Sequence, residues 1–361
     1  MAKPENRSNV TLSDVAQHAG VSRATASRAL FDSGYASRAA RRAVLASAEE
    51  LGFTPNRAAR NLAKQSAEAI ALVITESDSL ALSDKFIGLG ISGVSNALHN
   101  TEYQLILLIA PPDDNGAKLR RYLNRGTVDG AIVLSHHSSD HSVEIVEGAQ
   151  LPTVFVGRPW KLSNCISYVD LDNRQAAEIA TRHLIALGRK RIACIAGPAD
   201  MAPVIDRTNG WRNALADAGL EPGPLKHITF SGIGAEEAMA SILAESEVDG
   251  LFCHSDLLAA GALRAIHAKG LSVPADVAVV GFDDSPYSAE STPSLTTMSN
   301  SGLVLGKQAG ELLLNILGNE TRAAEPLILP SELIVRESAP PPQSVLPTLS
   351  SGPVLCGDPN N

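Results

Sequence analysis

From Ala69 onward the 361-residue chain alternates short apolar runs with helical patterns, and this alternation constrains its fold more than any other feature. AIALVIT (69–75), YQLILLI (103–109), GAIVLS (130–135) and TVFVG (153–157) form a first series of β-prone runs. RIACIAG (191–197), HITF (227–230), GLFCH (250–254) and VAVVGF (277–282) form a second. Between many of them lie apolar residues at helical spacing, as in QAAEIATRHLIALG (175–188) and LAAGALRAIHAKG (258–270). Strands without polar alternation are buried on both faces, so helices must cover both sides of parallel sheets. Two successive series predict two similar α/β lobes rather than one very wide sheet.

The first 65 residues have a different texture. Leu12, Val15, Ala16 and Ala19 recur at helical spacing. Ala26, Ala29 and Leu30 do the same, as do Val44, Leu45, Ala48 and Leu51, which predicts three short helices. Thr11, Ser22 and Ser37 are placed as N-caps, and Gly20 fits the tight turn between the first two helices. Pro55 stops regular structure, and Asn56 can cap a further short helix to about Lys64. This head carries ten Lys and Arg against five Asp and Glu, whereas the remainder carries twenty against thirty-four. A basic head on an acidic body points to a polyanion partner for the head alone.

Two helices across a Gly-containing turn, followed by a third, fit a helix-turn-helix, whose second helix enters the DNA major groove. Here that helix starts at Arg23, with Ala26, Ala29 and Leu30 facing inward and Arg23, Ala24, Thr25, Ser27 and Arg28 left outside. Arginine pairs with guanine O6 and N7, and small hydroxyls suit phosphates or base edges.

TLSDVAQHAGVSRATASRAL (11–30) followed by LGFTPNRAARNLAKQ (51–65) resembles the N-terminal module of the lactose/galactose repressor (LacI/GalR) family, with Ala26 and Phe31 as the two departures. The resemblance implies base reading by Arg23, Ala24 and Arg28, with Thr25 and Ser27 nearer the phosphates and Ser22 also among the DNA-binding residues. It makes Asn56 to Ala63 a hinge helix, with Asn56 and Arg57 on DNA and Leu62 wedged into the minor groove. A helix that short is marginal alone, which fits ordering only between two subunits on DNA.

Further likeness lies in VDLDNRQAAEIATRHLIALGRKRIACIAGP, DRTNGWRNALADAGL, SDLLAAGALRAI, VPADVAVVGFDD, TPSLTTM and LPSELIVRES, which carry it to about Ser338. The implied fold is α/β: an all-α helix-turn-helix head plus a two-lobed periplasmic-binding-protein-like αβα body, with a ligand between the lobes. The implied boundaries are 1–55 for the head, 56–66 for the hinge and linker, 67–338 for the effector-binding and dimerisation body, and 339–361 for a disordered Pro-, Ser- and Gly-rich tail. By position Arg207 clamps the ligand, with Asp256, Asp283, Phe230, Arg158 and Asn300 as further candidates. Stacking plus Asp, Asn and Arg is what a polyhydroxylated ligand needs. Where many sugar-binding members carry N-P-F-F, this chain reads SDKFIG (83–88), with Lys85 for Pro and Ile87 for Phe.

Other motifs carry less. GLGISG (88–93) satisfies GxGxxG, but TESDSLALSDKF separates it from the preceding strand run, so no dinucleotide site is expected. HHSSDH (136–141) reads as a polar loop or cleft rim rather than a metal site. No GxSxG and no helical HExxH occurs, and no enzyme or cofactor is expected. Cys165, Cys194, Cys253 and Cys356 are scattered, as buried free thiols would be. No secretory start and no apolar run of membrane-spanning length stands out, which points to the cytoplasm.

The expected function is a homodimeric transcription repressor. It binds a near-palindromic double-stranded DNA operator and is controlled by a small-molecule effector, a sugar or related metabolite, in the inter-lobe cleft. A tetramer is left open. The alternatives are a ligand-independent or activating regulator on the same scaffold and, further off, a solute-binding protein.

Overall fold

A computed structural model describes residues 10–31, 35–54, 66–110, 116–123, 126–161, 166–319 and 325–341. The proposed hinge, with Asn56, Arg57 and Leu62, lies outside the described residues, as do Cys165 and Cys356.

In the head, α1 (Leu12–His18), α2 (Arg23–Phe31) and α3 (Arg38–Glu50) close over Val15, Ala16, Ala26, Ala29, Val44 and Ala48. Each helix starts where the sequence placed its cap. Thr11 and Asp14 form a reciprocal capping box, Ser22 Oγ accepts the Thr25 N–H at 3.1 Å, and Ser37 accepts that of Ala40. Ala26 has no exposed surface, so a small residue lets α2 pack closely on its neighbours.

The body holds two six-stranded sheets. The first lobe contains β1 (Ala69–Ile74), β2 (Gln104–Ile109), β3 (Gly130–Leu134), β4 (Thr153–Val156), β5 (Ile166–Leu171) and β11 (Leu327–Leu329), in the order β11-β5-β4-β3-β1-β2 and all parallel. The second contains β6 (Ile192–Ala196), β7 (Leu225–His227), β8 (Gly250–Cys253), β9 (Ala278–Asp283), β10 (Thr296–Ser299) and β12 (Leu333–Ile334), in the order β12-β10-β9-β8-β6-β7 with only β12 antiparallel. Both faces of each sheet carry a buried apolar core.

The chain passes between lobes three times. It leaves β5 for α8 (Asn173–Ala186), returns from β10 through α13 (Gly302–Gly318), and crosses again from β11 to β12. Strands β5, β10, β11 and β12 are absent from the two apolar series, because they are short or carry polar residues, as in TTMS. The second-series run HITF is corrected: β7 ends at His227, so Phe230 lies in the loop before α10 (Gly232–Glu245) and does not end a strand.

The body also extends past its expected limit of 338. Ala339 is fully buried and its carbonyl accepts from His183 Nε2 at 2.8 Å. Residues 342–361 lie outside the described residues.

The glycines of GLGISG have a packing role. Helix α5 (Lys85–Leu98) crosses α13 so closely that a Cβ on Gly93 would sit 2.2 Å from the Leu303 carbonyl oxygen. A Cβ on Gly306 would sit 2.2 Å from that of Gly90. The motif therefore serves two touching helix backbones.

Candidate functional site: an inter-lobe cleft and an exposed helix

All the strands of both sheets except β12 run parallel, so their carboxyl ends gather at the cleft between the lobes. Glu76 follows β1, Ser135 and His136 follow β3, Gly157 follows β4, and Asp170 sits near the end of β5. From the second lobe come Arg207 on α9 (Ala202–Asp217), Phe230, Ser255 and Asp283, while Asn300 stands at the return crossover. Two cleft residues, Ser135 (φ 55°) and Asp283 (φ 108°), hold backbone conformations rare outside glycine. Such strain persists where the surroundings enforce it, and it is concentrated at binding sites.

Arg207 anchors the floor and is 7% exposed. Its Nε donates to Asn173 Oδ1 at 2.8 Å, its Nη1 donates to the His254 carbonyl at 2.6 Å, and its guanidinium carbon lies 3.6 Å from the centre of the Phe282 ring. Burial pushes the guanidinium below its usual pKa, opposed by Asp283, Asp170 and Asp206. Asn173 passes the contact on, its Nδ2 donating to Asp170 Oδ1 at 2.9 Å.

Asp283 and Asn300 form the other polar pair, with Asn300 Nδ2 donating to Asp283 Oδ1 at 2.8 Å. Burial holds the Asp283 carboxyl well above the usual range against the pull of Arg207. Asn300 is 5% exposed and its Oδ1 has no hydrogen-bond partner among the described residues. An unpaired buried acceptor costs about 1–3 kcal/mol, a cost that a ligand hydroxyl would remove. The neighbouring Asp284 does structural work, accepting from Arg336 Nη2 at 2.7 Å and from Ser288 Oγ.

Three other sequence candidates are placed as follows. Phe230 is half-buried and lines the cleft, its ring so close to Gly197 that a Cβ there would meet it at 2.4 Å. Asp256, at the start of α11 (Asp256–Ala268), lies behind Asp283 and lines an adjoining cavity. Its two oxygens accept from Thr297 Oγ1 and the Ser285 N–H, both at 2.7 Å, and burial raises its pKa to about 6. Arg158 is not among the cleft-lining residues: its Nη2 pairs with Asp206 Oδ2 at 2.6 Å, joining the first lobe to the second at the rim.

HHSSDH, which the sequence places in a polar loop or at the cleft rim, brings an ion-paired histidine to the rim. His137 of the first lobe lies 3.1 Å from Glu76 Oε1 through Nε2 and 3.0 Å from Asp200 Oδ1 of the second lobe through Nδ1. Burial opposes its charge, but the two carboxylates outweigh burial and raise its pKa to about 9. Trp160 Nε1 and the Ser138 N–H both donate to the Asp200 carbonyl, at 2.6 and 3.0 Å. His136 beside it is buried and donates from Nε2 to the Gly157 carbonyl at 3.2 Å. Sequence reasoning also misses Glu76, Asp84, Asp170 and Asn173, of which only Glu76 directly follows one of the apolar runs.

Among the described residues, no group of three or more His, Cys, Asp or Glu could hold a metal ion. Cys194 and Cys253 are free and buried, and burial pushes both thiols upward. No described helix is long and apolar enough to cross a membrane.

On the head, Ser22, Arg23, Ala24 and Arg28 are exposed while Thr25 and Ser27 are half-buried. Ala26 and Ala29 beneath them are buried, so one face of α2 is free for a groove. Ser22 Oγ and Thr25 Oγ1 are 2.9 Å apart, two hydroxyls presented together at the helix start.

A helix-turn-helix head joined to a two-lobed body with a polar cleft defines the class of DNA-binding transcription regulators built on a periplasmic-binding-protein-like domain. The chain belongs to the lacI family of bacterial regulatory proteins. Residues 11–56 match the model of that family's DNA-binding module, and residues 181–339 match a periplasmic binding protein-like domain. The HTH-type transcriptional regulator CelR of Thermobifida fusca is 37% identical over 338 residues, covering 92% of this chain and 99% of CelR. A solved CelR–cellobiose complex superposes with a TM-score of 0.72 at 35% identity, covering 91% of this chain and 99% of that one. The lac repressor dimer bound to operator and the anti-inducer ONPF gives 0.76 at 26% identity, covering 92% of this chain and 99% of the other.

Proposed function

We propose that the protein is a homodimeric repressor whose two heads read half-sites of a near-palindromic operator and whose affinity for DNA is set by a neutral sugar in the inter-lobe cleft. The observation that carries the ligand reading is the balance of charge in the cleft. Asp84, Asp170 and Asp283 surround Arg207, the one Lys or Arg among the described lining residues, while Glu76 is already paired with His137 at the rim. Such a surplus of carboxyl groups repels phosphorylated or carboxylate ligands and accepts hydroxyl donors. The orphan acceptor of Asn300 and the half-buried ring of Phe230 suit a pyranose, which offers hydroxyls at its edge and C–H groups on its faces. The cellobiose bound by the CelR neighbour supports this ligand class.

Dimerisation is supported by β2, an edge strand of the first sheet with Ile106 and Leu107 exposed at 43% and 42%. An uncovered apolar edge calls for a partner. In the head, Arg23, Ala24 and Arg28 read bases while Ser22, Thr25 and Ser27 hold phosphates; Asn56, Arg57 and Leu62 of the hinge engage the operator centre. Ligand closure between the lobes changes the spacing of the two hinges, a coupling typically worth about 1–3 kcal/mol.

The test starts from genomic fragments retained by the purified protein. Fluorescence anisotropy on the enriched operator is then measured with glucose, cellobiose and other neutral sugars, and with glucose 6-phosphate. A neutral sugar should change operator affinity about 5- to 150-fold while the phosphate leaves it unchanged. Tight operator binding that no neutral sugar alters would overturn the effector assignment.

A further inference from the structure

One residue of the second lobe is held by three donors of the first. Asp200 Oδ1 lies 3.0 Å from His137 Nδ1, and the Asp200 carbonyl accepts from Trp160 Nε1 at 2.6 Å and from the Ser138 N–H at 3.0 Å. The donors stand on two loops, one after β3 and one after β4. On the second of these loops Arg158 pairs with Asp206. All of these contacts are made by the protein's own groups.

The loop that presents His137 is fixed to its own lobe. Asp140 accepts from Thr75 Oγ1 at 2.9 Å and from the His137 and Ser142 N–H groups, both at 2.8 Å. Glu76 Oε1 accepts from Ser135 Oγ at 2.6 Å and lies 3.1 Å from His137 Nε2. With Nε2 turned to Glu76, Nδ1 is the ring atom that reaches across, and both carboxylates are satisfied only by an imidazolium. On the other side, Asp200 stands just before α9, which starts at Ala202 and carries Arg207. Met201 and Pro203, on the way to Arg207, line the cleft. Holding Asp200 therefore holds the start of the helix that bears the cleft's cation.

We infer that Asp200 and the His137 loop form a latch that fastens the two lobes at this rim without help from an effector, and that the latch opens when the imidazolium loses its proton. Once it opens, α9 and Arg207 can move away from the first lobe as a unit. The titratable groups around the ring are Glu76, Asp140, His136, His141 and the Lys161–Glu144 pair of the first lobe, and Asp200 of the second. Burial opposes the ring's charge, but Glu76 and Asp200 outweigh burial and raise its pKa to about 9. The latch is therefore complete at neutral pH and is lost as the pH rises through about 9. It acts whichever ligand the cleft takes.

The chain has two tryptophans, Trp160 in the latch at 38% exposed and Trp211 on α9 at 1%, so intrinsic fluorescence reads the rim directly. The experiment is acrylamide quenching of the full-length protein from neutral pH upward. Wild-type emission should shift to the red and become more quenchable, with a midpoint near pH 9. His137→Gln should already be more quenchable than wild type at neutral pH and should show no such midpoint. Adding Asp200→Asn to His137→Gln should expose Trp160 no further, since the pair is already broken. Trp160→Phe, which keeps the histidine pair, should leave the shielded Trp211 signal flat across the range. Wild-type quenching that stays flat through pH 9 overturns the latch, and so does a midpoint that survives in His137→Gln. A Trp211 signal in Trp160→Phe that rises as the wild type does would assign the change to loosening of the whole body, and overturns it as well.

Discussion

His137 Nδ1 in the first lobe lies 3.0 Å from Asp200 Oδ1 in the second, while its Nε2 lies 3.1 Å from Glu76 Oε1. Two carboxylate acceptors require protons on both ring nitrogens, so this contact between lobes is made by an imidazolium. The charged groups around it are Glu76 and Asp200, with Asp140 accepting from the His137 backbone N–H and His136 adjacent. A folded-state pKa of about 9 exceeds the ordinary 6.5, so the stabilisation is complete below about 6.5 and is lost as the pH rises through 9. We expect the melting temperature to fall by several degrees between pH 7 and pH 10, with His137→Gln flattening that slope. Differential scanning calorimetry across the range measures it, and an unchanged slope in the variant would remove the latch.

Arg207 sits at the meeting of the first crossover, α9 and β9. Replacing it with Ala should abolish the response of operator binding to the effector, a loss of at least about 100-fold in ligand affinity, with DNA binding itself retained. Arg207→Lys should not restore the response. An ammonium cannot stack on Phe282 while donating to both Asn173 and His254 as the planar guanidinium does. Normal effector titration in the Lys variant would show that charge alone suffices.

Arg28 is exposed on the free face of α2 above buried Ala29. Arg28→Ala should cost about 1–3 kcal/mol against the preferred operator and little against random DNA. Competition binding with operators altered one base pair at a time locates the base it reads. A variant that still ranks those operators as the wild type does would exclude Arg28 from base reading.

Within GLGISG and its partner helix, two substitutions should act in opposite directions. Gly88 has nothing within 4 Å of an added Cβ and lies in α5, so Gly88→Ala should stabilise the protein by about 0.5–1 kcal/mol. Gly306→Ala would force a methyl against the Gly90 carbonyl and should destabilise by about 1–3 kcal/mol or more. Urea unfolding of both variants decides the matter; equal effects would mean that α5 and α13 separate freely.

The sequence by itself determined what depends on local physics. Capping residues set where the head's helices begin, because the chain's first free N–H groups are satisfied within three residues. Spacing of Ala26 and Ala29 decided which face of α2 is buried and which stays exposed, and apolar runs marked eight strands, with only HITF shifted. Tertiary structure decided what depends on residues far apart in the chain. Strand β5 and the crossover strands are too short or too polar to announce themselves, and they pair only because neighbouring strands present them with an edge. The same is true of the site. Arg207, Phe230, Asp283 and Asn300 could be named from position, and all four line the cleft. Asn173 and the His137–Asp200 contact could not be named, because each gains its meaning from a partner on another lobe or another turn of the chain. A hydrogen bond between residues 63 positions apart leaves no period in the sequence, and only the packing of the two lobes brings its ends to 3.0 Å.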